Sequence, residues 1–357
     1  MVGDEIDGTP SHPLAALSAR TRAILIWSGF AILLVLALIA AIGALQRTFY
    51  SAGGFVSSYV RALARHDLVA AMGMPGADPT AATLSEEGLP SKPSRELLRT
   101  DVLPRLQNIR VVSDDDLGTG EHLVEVRADE DGRPVSALFS VRQTGAVFGF
   151  LPTWRFDHTP LAVAHVTVEH ANTFTAAGHT LDPRASASQP ADAFTVSADY
   201  LVFAPAVYEL AHTSRYLEAR PVELSALSPG KLADVNVVAT PNAAFVSEVS
   251  RQLHTYLDGC AKQQVLQPAG CPFGVTVDDR VQGLPTWSMV HYPPVAIVAG
   301  KASWTMADSA GAAHLSVVVQ SLFDGTIQHR ESDEPFKVSI SAITIHDDGA
   351  LDITVAN

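Results

Sequence analysis

AILIWSGFAILLVLALIAAIGAL, residues 23–45, runs for 23 positions without a charge between Arg22 and Arg47. A helix rises about 1.5 Å per residue, so this length covers the roughly 30 Å hydrocarbon core of a bilayer with slight tilt to spare. Ile24, Leu25, Ile26, Phe30, Ile32, Leu33, Leu34 and Leu36 fall on every face of such a helix. No polar side is left to meet water, which argues against a core helix of a soluble domain. Ala41, Ile42 and Gly43, behind the basic flank of Arg20 and Arg22, form a small-x-small triplet of the kind cut by signal peptidases. The run is nevertheless longer than the roughly 7–15 residues of a signal-peptide core. The segment therefore predicts an uncleaved single-pass anchor, with the lipid bilayer as partner through residues 23–45.

The flanks do not set the orientation by themselves. Arg20 and Arg22 precede the span, but Arg47, Arg61 and Arg65 follow it closely. Large domains cross membranes largely regardless of such charges. With the cysteine argument below, the expectation is a cytoplasmic tail over 1–22 and an extracytoplasmic body attached to the cell membrane.

That body, 46–357, is long enough for two or three domains. The chain carries a net charge of −14. Two basic and three acidic residues precede the span, so the body holds 22 basic against 35 acidic residues. This balance argues against nucleic acid, anionic headgroups and acidic wall polymers as broad electrostatic partners. It keeps a surface-tethered body soluble.

Three domains are read along the body. The first, 46–157, opens on a helix over 49–66, where Phe55, Val56, Tyr59, Val60 and Leu63 repeat at helical spacing and Gly53 with Gly54 offers a swivel behind the membrane. A loop over 76–93 and a second helix over 94–106 follow. From Ile109 the period changes to two: Leu123, Glu125 and Arg127 alternate with Val124 and Val126, Asp131 and Gly132 supply a turn, and strands run over 135–141 and 146–156. Residues 158–234 read as a β-rich module, with strands over 163–168 and 194–203 and an apolar run over 222–227. Turns are marked at Asp182–Pro183, Gln189–Pro190 and Pro229–Gly230. The third domain, 235–357, begins with a strand over 235–238. Asn242 then caps a helix whose Phe245, Val249, Leu253 and Leu257 recur every four residues. Strands over 287–292, 295–306, 314–323, 336–345 and 351–355 complete it, with turns at Asp324–Gly325 and Asp348–Gly349. The fold class is α+β: helix-plus-antiparallel-sheet domains flanking the β-rich module. Phe55, Val56, Ser57, Arg61 and Leu63 match Phe245, Val246, Ser247, Arg251 and Leu253 at identical spacing, which fits either a duplicated unit or chance similarity between two amphipathic helices.

Cys260 and Cys271 are the chain's two cysteines. At this distance, outside the membrane, a disulfide is the expected state, pinning the helix end to the first strand of the sheet.

Other residue patterns carry less. His158, His165, His170 and His179 are dense, but His165 and His170 stand five apart, so an unbroken strand sends them to opposite faces. Asp114, Asp115, Asp116 and Glu121 lack the glycine placement of a calcium loop and read as an acidic turn before a hairpin. Ser228-Pro229-Gly230-Lys231 spells Ser-x-x-Lys, yet Pro-Gly forbids the helical turn that acyl-serine chemistry requires. Gly300-Lys301 lacks the upstream glycine of a phosphate loop. Trp154, Trp287, Trp304, Tyr292 and the Phe245 helix fit either a packed core or a pocket in a curled sheet. No catalytic residue, cofactor or metal ligand is assigned; the only site residues are the disulfide pair Cys260 and Cys271.

At the Phe55 helix, and again at the Asn242 helix with Cys260, Pro268, Gly270 and Cys271-Pro272-Phe273-Gly274, the chain resembles a group of actinobacterial single-pass membrane proteins. Their extracytoplasmic part is similar to that of the membrane-anchored TcaA-type proteins. The resemblance implies cystatin-like or nuclear-transport-factor-2-like domains, cell-envelope association and, for some members, a response to teicoplanin-type glycopeptides. The cytoplasmic zinc ribbon common in that group has no counterpart here, since the tail holds no cysteine. The resulting expectation is a non-enzymatic binding module facing an envelope protein or cell-wall component. The alternatives are an accessory subunit of a membrane complex, or a hydrolase or isomerase on a nuclear-transport-factor-2-like domain.

Overall fold

The computed structural model describes residues 19–48, 50–103, 105–187 and 194–356. The expected tail lies outside the described residues up to residue 18, as does the turn expected at Gln189 and Pro190. The chain is mixed α+β, with mostly antiparallel sheets behind one N-terminal apolar helix. That helix, α1, spans Ala19–Thr48. Its segment Ala23–Ala40 has a mean hydropathy of 2.7 and no buried residue, which is compatible with a membrane anchor.

The first unit sets helix α2 (Ala52–Ala64) on a four-stranded antiparallel sheet, β1 (Leu106–Gly118), β2 (Glu121–Glu130), β3 (Arg133–Val147) and β4 (Leu151–Phe156), in that order. Period-two alternation sends Val124, Val126, Phe139 and Val141 inward against Val56, Tyr59, Val60 and Leu63 of α2. Short helices α3 (Leu68–Met72) and α4 (Ala81–Glu86) lie between helix and sheet in the chain. The Asp131–Gly132 hairpin is as expected, both residues having positive φ.

Local expectations of the first unit are corrected: α4 lies within the loop expected over 76–93, and the strand expected over 146–156 is interrupted by the turn at Phe148 and Gly149. Gly53 and Gly54 are not a swivel: both lie in the first turn of α2, behind the Ser51 cap. A Cβ on Gly53 would stand 3.2 Å from both Asp114 Oδ2 and Val111 Cγ1, so the glycine permits close approach of helix to sheet. The helix expected over 94–106 does not form. Ser94 bridges Tyr200 instead, exchanging hydrogen bonds with Asp199 and Leu201, and Leu97 and Val102 are buried. Backbone pairing with a neighbouring strand outweighs helix propensity there. Finally, Asp114, Asp115 and Asp116 belong to β1 rather than to a turn; the chain reverses at Thr119 and Gly120, both with positive φ.

The middle segment is two stacked sheets. β5 (Leu161–Glu169) lies between β8 (Thr195–Phe203) and β11 (Leu232–Val238). Facing it are β12 (Thr240–Pro241), β10 (Leu217–Ala226), β9 (Ala206–Thr213), β6 (Phe174–Ala176) and β7 (His179–Leu181). β11 pairs with β5 in parallel. The strand expected over 235–238 is therefore part of the middle sheet. Phe174, Tyr200, Val166 and Leu210 fill the space between the layers.

The last unit repeats the first pattern: helix α5 (Ala243–Ala261), then β13 (Arg280–His291), β15 (Trp304–Gln320), β16 (Ile327–Ile345) and β17 (Leu351–Ala356) in sequence order, with the short β14 (Val298–Ala299) paired to β15. The strands expected over 295–306 and 314–323 are corrected to one long β15, preceded by a loop that holds β14. Phe55 and Phe245, Tyr59 and Val249, and Leu63 and Leu253 face their respective cores at matching positions, whereas Ser57 is buried and Ser247 exposed.

Candidate functional site

Cys260 and Cys271 form a disulfide with Cα atoms 5.8 Å apart. Cys260 ends α5, but Cys271 lies in the irregular segment before β13, so the bridge ties the helix to that loop rather than to the first strand. Phe273, two residues on, packs against Trp287 and Phe336. The bridge thus seats a loop plug in the core. Trp287, Trp304, Phe245 and Phe336 are all buried around it. Trp154 is apart from them, in β4, and Tyr292 donates its hydroxyl to Asp258.

The four histidines are held separately. His158 Nδ1 is 3.6 Å from Glu87 Oε1. His165 Nδ1 meets Asp199 at 2.7 Å, and His179 pairs with Asp101. His170 sits between Phe194 and Trp304, its ring centroids 4.8 and 5.5 Å from theirs. Among the described residues no three His, Cys, Asp or Glu side chains converge to hold a metal. Asp114 is a tie rather than a ligand: Oδ2 accepts from Gly53 N at 2.9 Å and Oδ1 meets His122 Nδ1 at 2.7 Å. Gly300 turns the chain from β14 into β15 through Gly300 N to Ser303 O.

Clefts with polar walls lie at both junctions between the units. One, of 440 Å³, lies between the middle segment and the last unit, where His170, Thr173, Arg184, His212, Trp304 and Asp347 contribute to its wall. His212, on β9, is 5% exposed. Its Nδ1 lies 2.8 Å from Thr173 O, so that nitrogen bears the proton, assigned from the bond. Nε2 is buried without a partner, and burial lowers the pKa of the ring. Arg184 is clamped by Asp182, whose carboxyl it holds below the usual range. The wall thus offers a neutral imidazole, a paired guanidinium and aromatic edges.

The other cleft, of 750 Å³, lies between the first sheet and the turn joining β10 to β11. Ser228, Pro229, Gly230 and Lys231 line it from that turn, opposite Leu138 and Phe139. Ser228 and Lys231 flank the turn and share no helix, so the Ser-x-x-Lys spelling builds no nucleophile–base pair. Glu87, just past α4, accepts from Thr159 N at 2.9 Å through Oε1, while Oε2 is buried without a partner. Sequence reasoning missed Glu87 and His212 because each acts through partners distant in the chain. No spacing around either marks it.

No protein-family model, no curated protein and no solved structure matches the chain.

Proposed function

We propose that this chain is a single-pass membrane protein, anchored through residues 23–45, whose body stands outside the cytoplasm as a non-enzymatic binding and interaction module of the cell envelope. The observation that carries the reading is the apolar segment Ala23–Ala40, exposed over its whole surface in a chain whose large body folds around its own cores. An exposed apolar surface of that length is stable in lipid and not in water. The disulfide supports an oxidising compartment for the body. The two helix-on-meander units support a cystatin-like or nuclear-transport-factor-2-like assignment, with clefts at the junctions as binding surfaces for an envelope protein or wall component. The acidic surface disfavours nucleic acid.

Protease treatment of intact spheroplasts tests the topology. Loss of an epitope at the C-terminus, with retention of one at the N-terminus, is expected. A C-terminal epitope protected until the membrane is opened overturns the orientation. Crosslinking in intact cells with mass spectrometry then tests the binding role: recurrent capture of one envelope protein or glycan is expected, and recovery of neither counts against it.

A further inference from the structure

β2 begins at Glu121, opposite Arg142. Past Gln143, whose N–H still donates to Gly120 O, β3 and β4 continue as a two-stranded ribbon. Residues 143–153 contain no charged side chain, in a chain of net charge −14. Val147 is 46%, Phe148 83% and Phe150 47% exposed, and the two phenylalanine rings stand 6.4 Å apart at the outer end. Phe148 has φ 53° and Gly149 φ 76°. Hairpin turns with two such residues usually take Asn or Gly in the first position. A bulky residue in the left-handed region is an outlier whose reason is sought in function. Here the fold holds the Phe148 ring on this backbone and leaves it in the open.

The location of the ribbon supplies the reason. Trp154, at the ribbon's root opposite Gln143, donates its indole N–H to Tyr50 O at 2.8 Å. Gly53 N–H donates to Asp114 at the same end of the unit. The ribbon therefore springs from where the chain arrives from α1, which ends at Thr48. Three helical steps from Leu45, the last residue of the uncharged run, to Thr48, and the at most about 7 Å that two further residues can span, put Tyr50 within about 12 Å of Leu45. Five strand residues from root to tip span about 17 Å. The tip is long enough to reach the boundary between headgroups and hydrocarbon.

We propose that the β3–β4 tip, led by Phe148, inserts into the interface of the bilayer that holds α1, giving the first unit a second hold beside the anchor. This rests on the anchor reading above. The bilayer is the occupant because the covalent connection keeps this apolar surface within the ribbon's reach. Asp115 and Asp116 are exposed at the same end, so the contact is apolar and not an attraction to anionic lipid.

The test uses the full chain in phosphatidylcholine nanodiscs with a nitroxide on Phe148→Cys, on Val69→Cys or on Leu34→Cys. Cys260 and Cys271 are bonded to each other and do not take the label. Val69 is 86% exposed on α3, beyond the far end of α2, and Leu34 lies in the apolar segment. The expected result at position 148 is a several-fold lower collision rate with a water-soluble nickel chelate than at 69, with raised oxygen collisions, at a depth shallower than 34. If 34 is shielded while 148 is as open to nickel as 69, the inserted tip is overturned and the anchor stands. If 34 is as open as 69, the anchor reading fails and the proposal falls with it.

Discussion

Gly76 sits at φ 80°, and a Cβ built there would stand 2.5 Å from Phe156 O and 3.0 Å from Phe156 N. Both contacts are to backbone, so neither neighbour can turn aside. Gly76→Ala is expected to destabilise the first unit by about 2–4 kcal/mol, combining left-handed strain with overpacking. Gly132→Ala, where φ is 83° but nothing lies within 4 Å, should cost about 1 kcal/mol. Urea titration of the two variants side by side checks the difference. His212 makes the second residue-scale prediction. Its folded pKa is depressed, so in the unfolded chain it binds a proton near pH 6.5 while the native ring stays neutral. Its contribution is therefore fully present above about pH 6.5 and is lost as pH falls toward the depressed folded value, with a slope of at most about 1.4 kcal/mol per pH unit. His212→Asn keeps an N–H for Thr173 O and removes the titration. Denaturation at pH 5 and 7 should show a smaller loss on acidification than in the parent; an equal loss removes His212 as a source. Neither glycine strain at 76 nor the orphan nitrogen at 212 was legible in the sequence, because each depends on the backbone of a residue far along the chain.

Helix α5 was the most legible element. Its periodic apolar residues, its Asn242 cap and its Cys260 terminus are local signals, and the structure reproduces all three. Asn242 Oδ1 accepts from Phe245 N at 3.1 Å, and its Nδ2 donates to Arg215 O. Asn242→Ala is expected to cost about 1–2 kcal/mol, seen as a lower thermal midpoint for the last unit. Replacing both cysteines by alanine should cost about 3 kcal/mol by loop-closure reasoning. Because Phe273 is seated by the bridged loop, the loss should be accompanied by greater solvent exposure of Trp287, read in fluorescence. The second helix expected in the first unit failed for the opposite reason. Residues 94–103 have helix-compatible composition, but Ser94 completes the edge of β8, a partner about a hundred residues away.

Across the whole molecule the units are coupled through shared packing. Leu161, Val163, Leu201 and Phe203 belong to middle strands yet join the core beneath α2. Glu130 of β2 crosses the same junction, both carboxylate oxygens accepting from Val207 N. Phe203→Ala, at a fully buried position, is expected to cost about 3–5 kcal/mol and to speed hydrogen exchange in both β2 and β5. Acceleration confined to β5 would show that the units open independently. By itself the sequence determined what is local: the charge-free run of α1, the alternation of β2 and β3, the periodic face of α5 and the short cysteine loop. These follow from the repeat of a helix or strand and from covalent proximity, which neighbouring residues encode. Only the tertiary structure decided the parallel pairing of β11 with β5, the clefts around Glu87 and His212, and the position of the charge-free ribbon beside the chain's exit from α1. Those depend on contacts between residues tens to hundreds apart, where no local period constrains which surfaces meet.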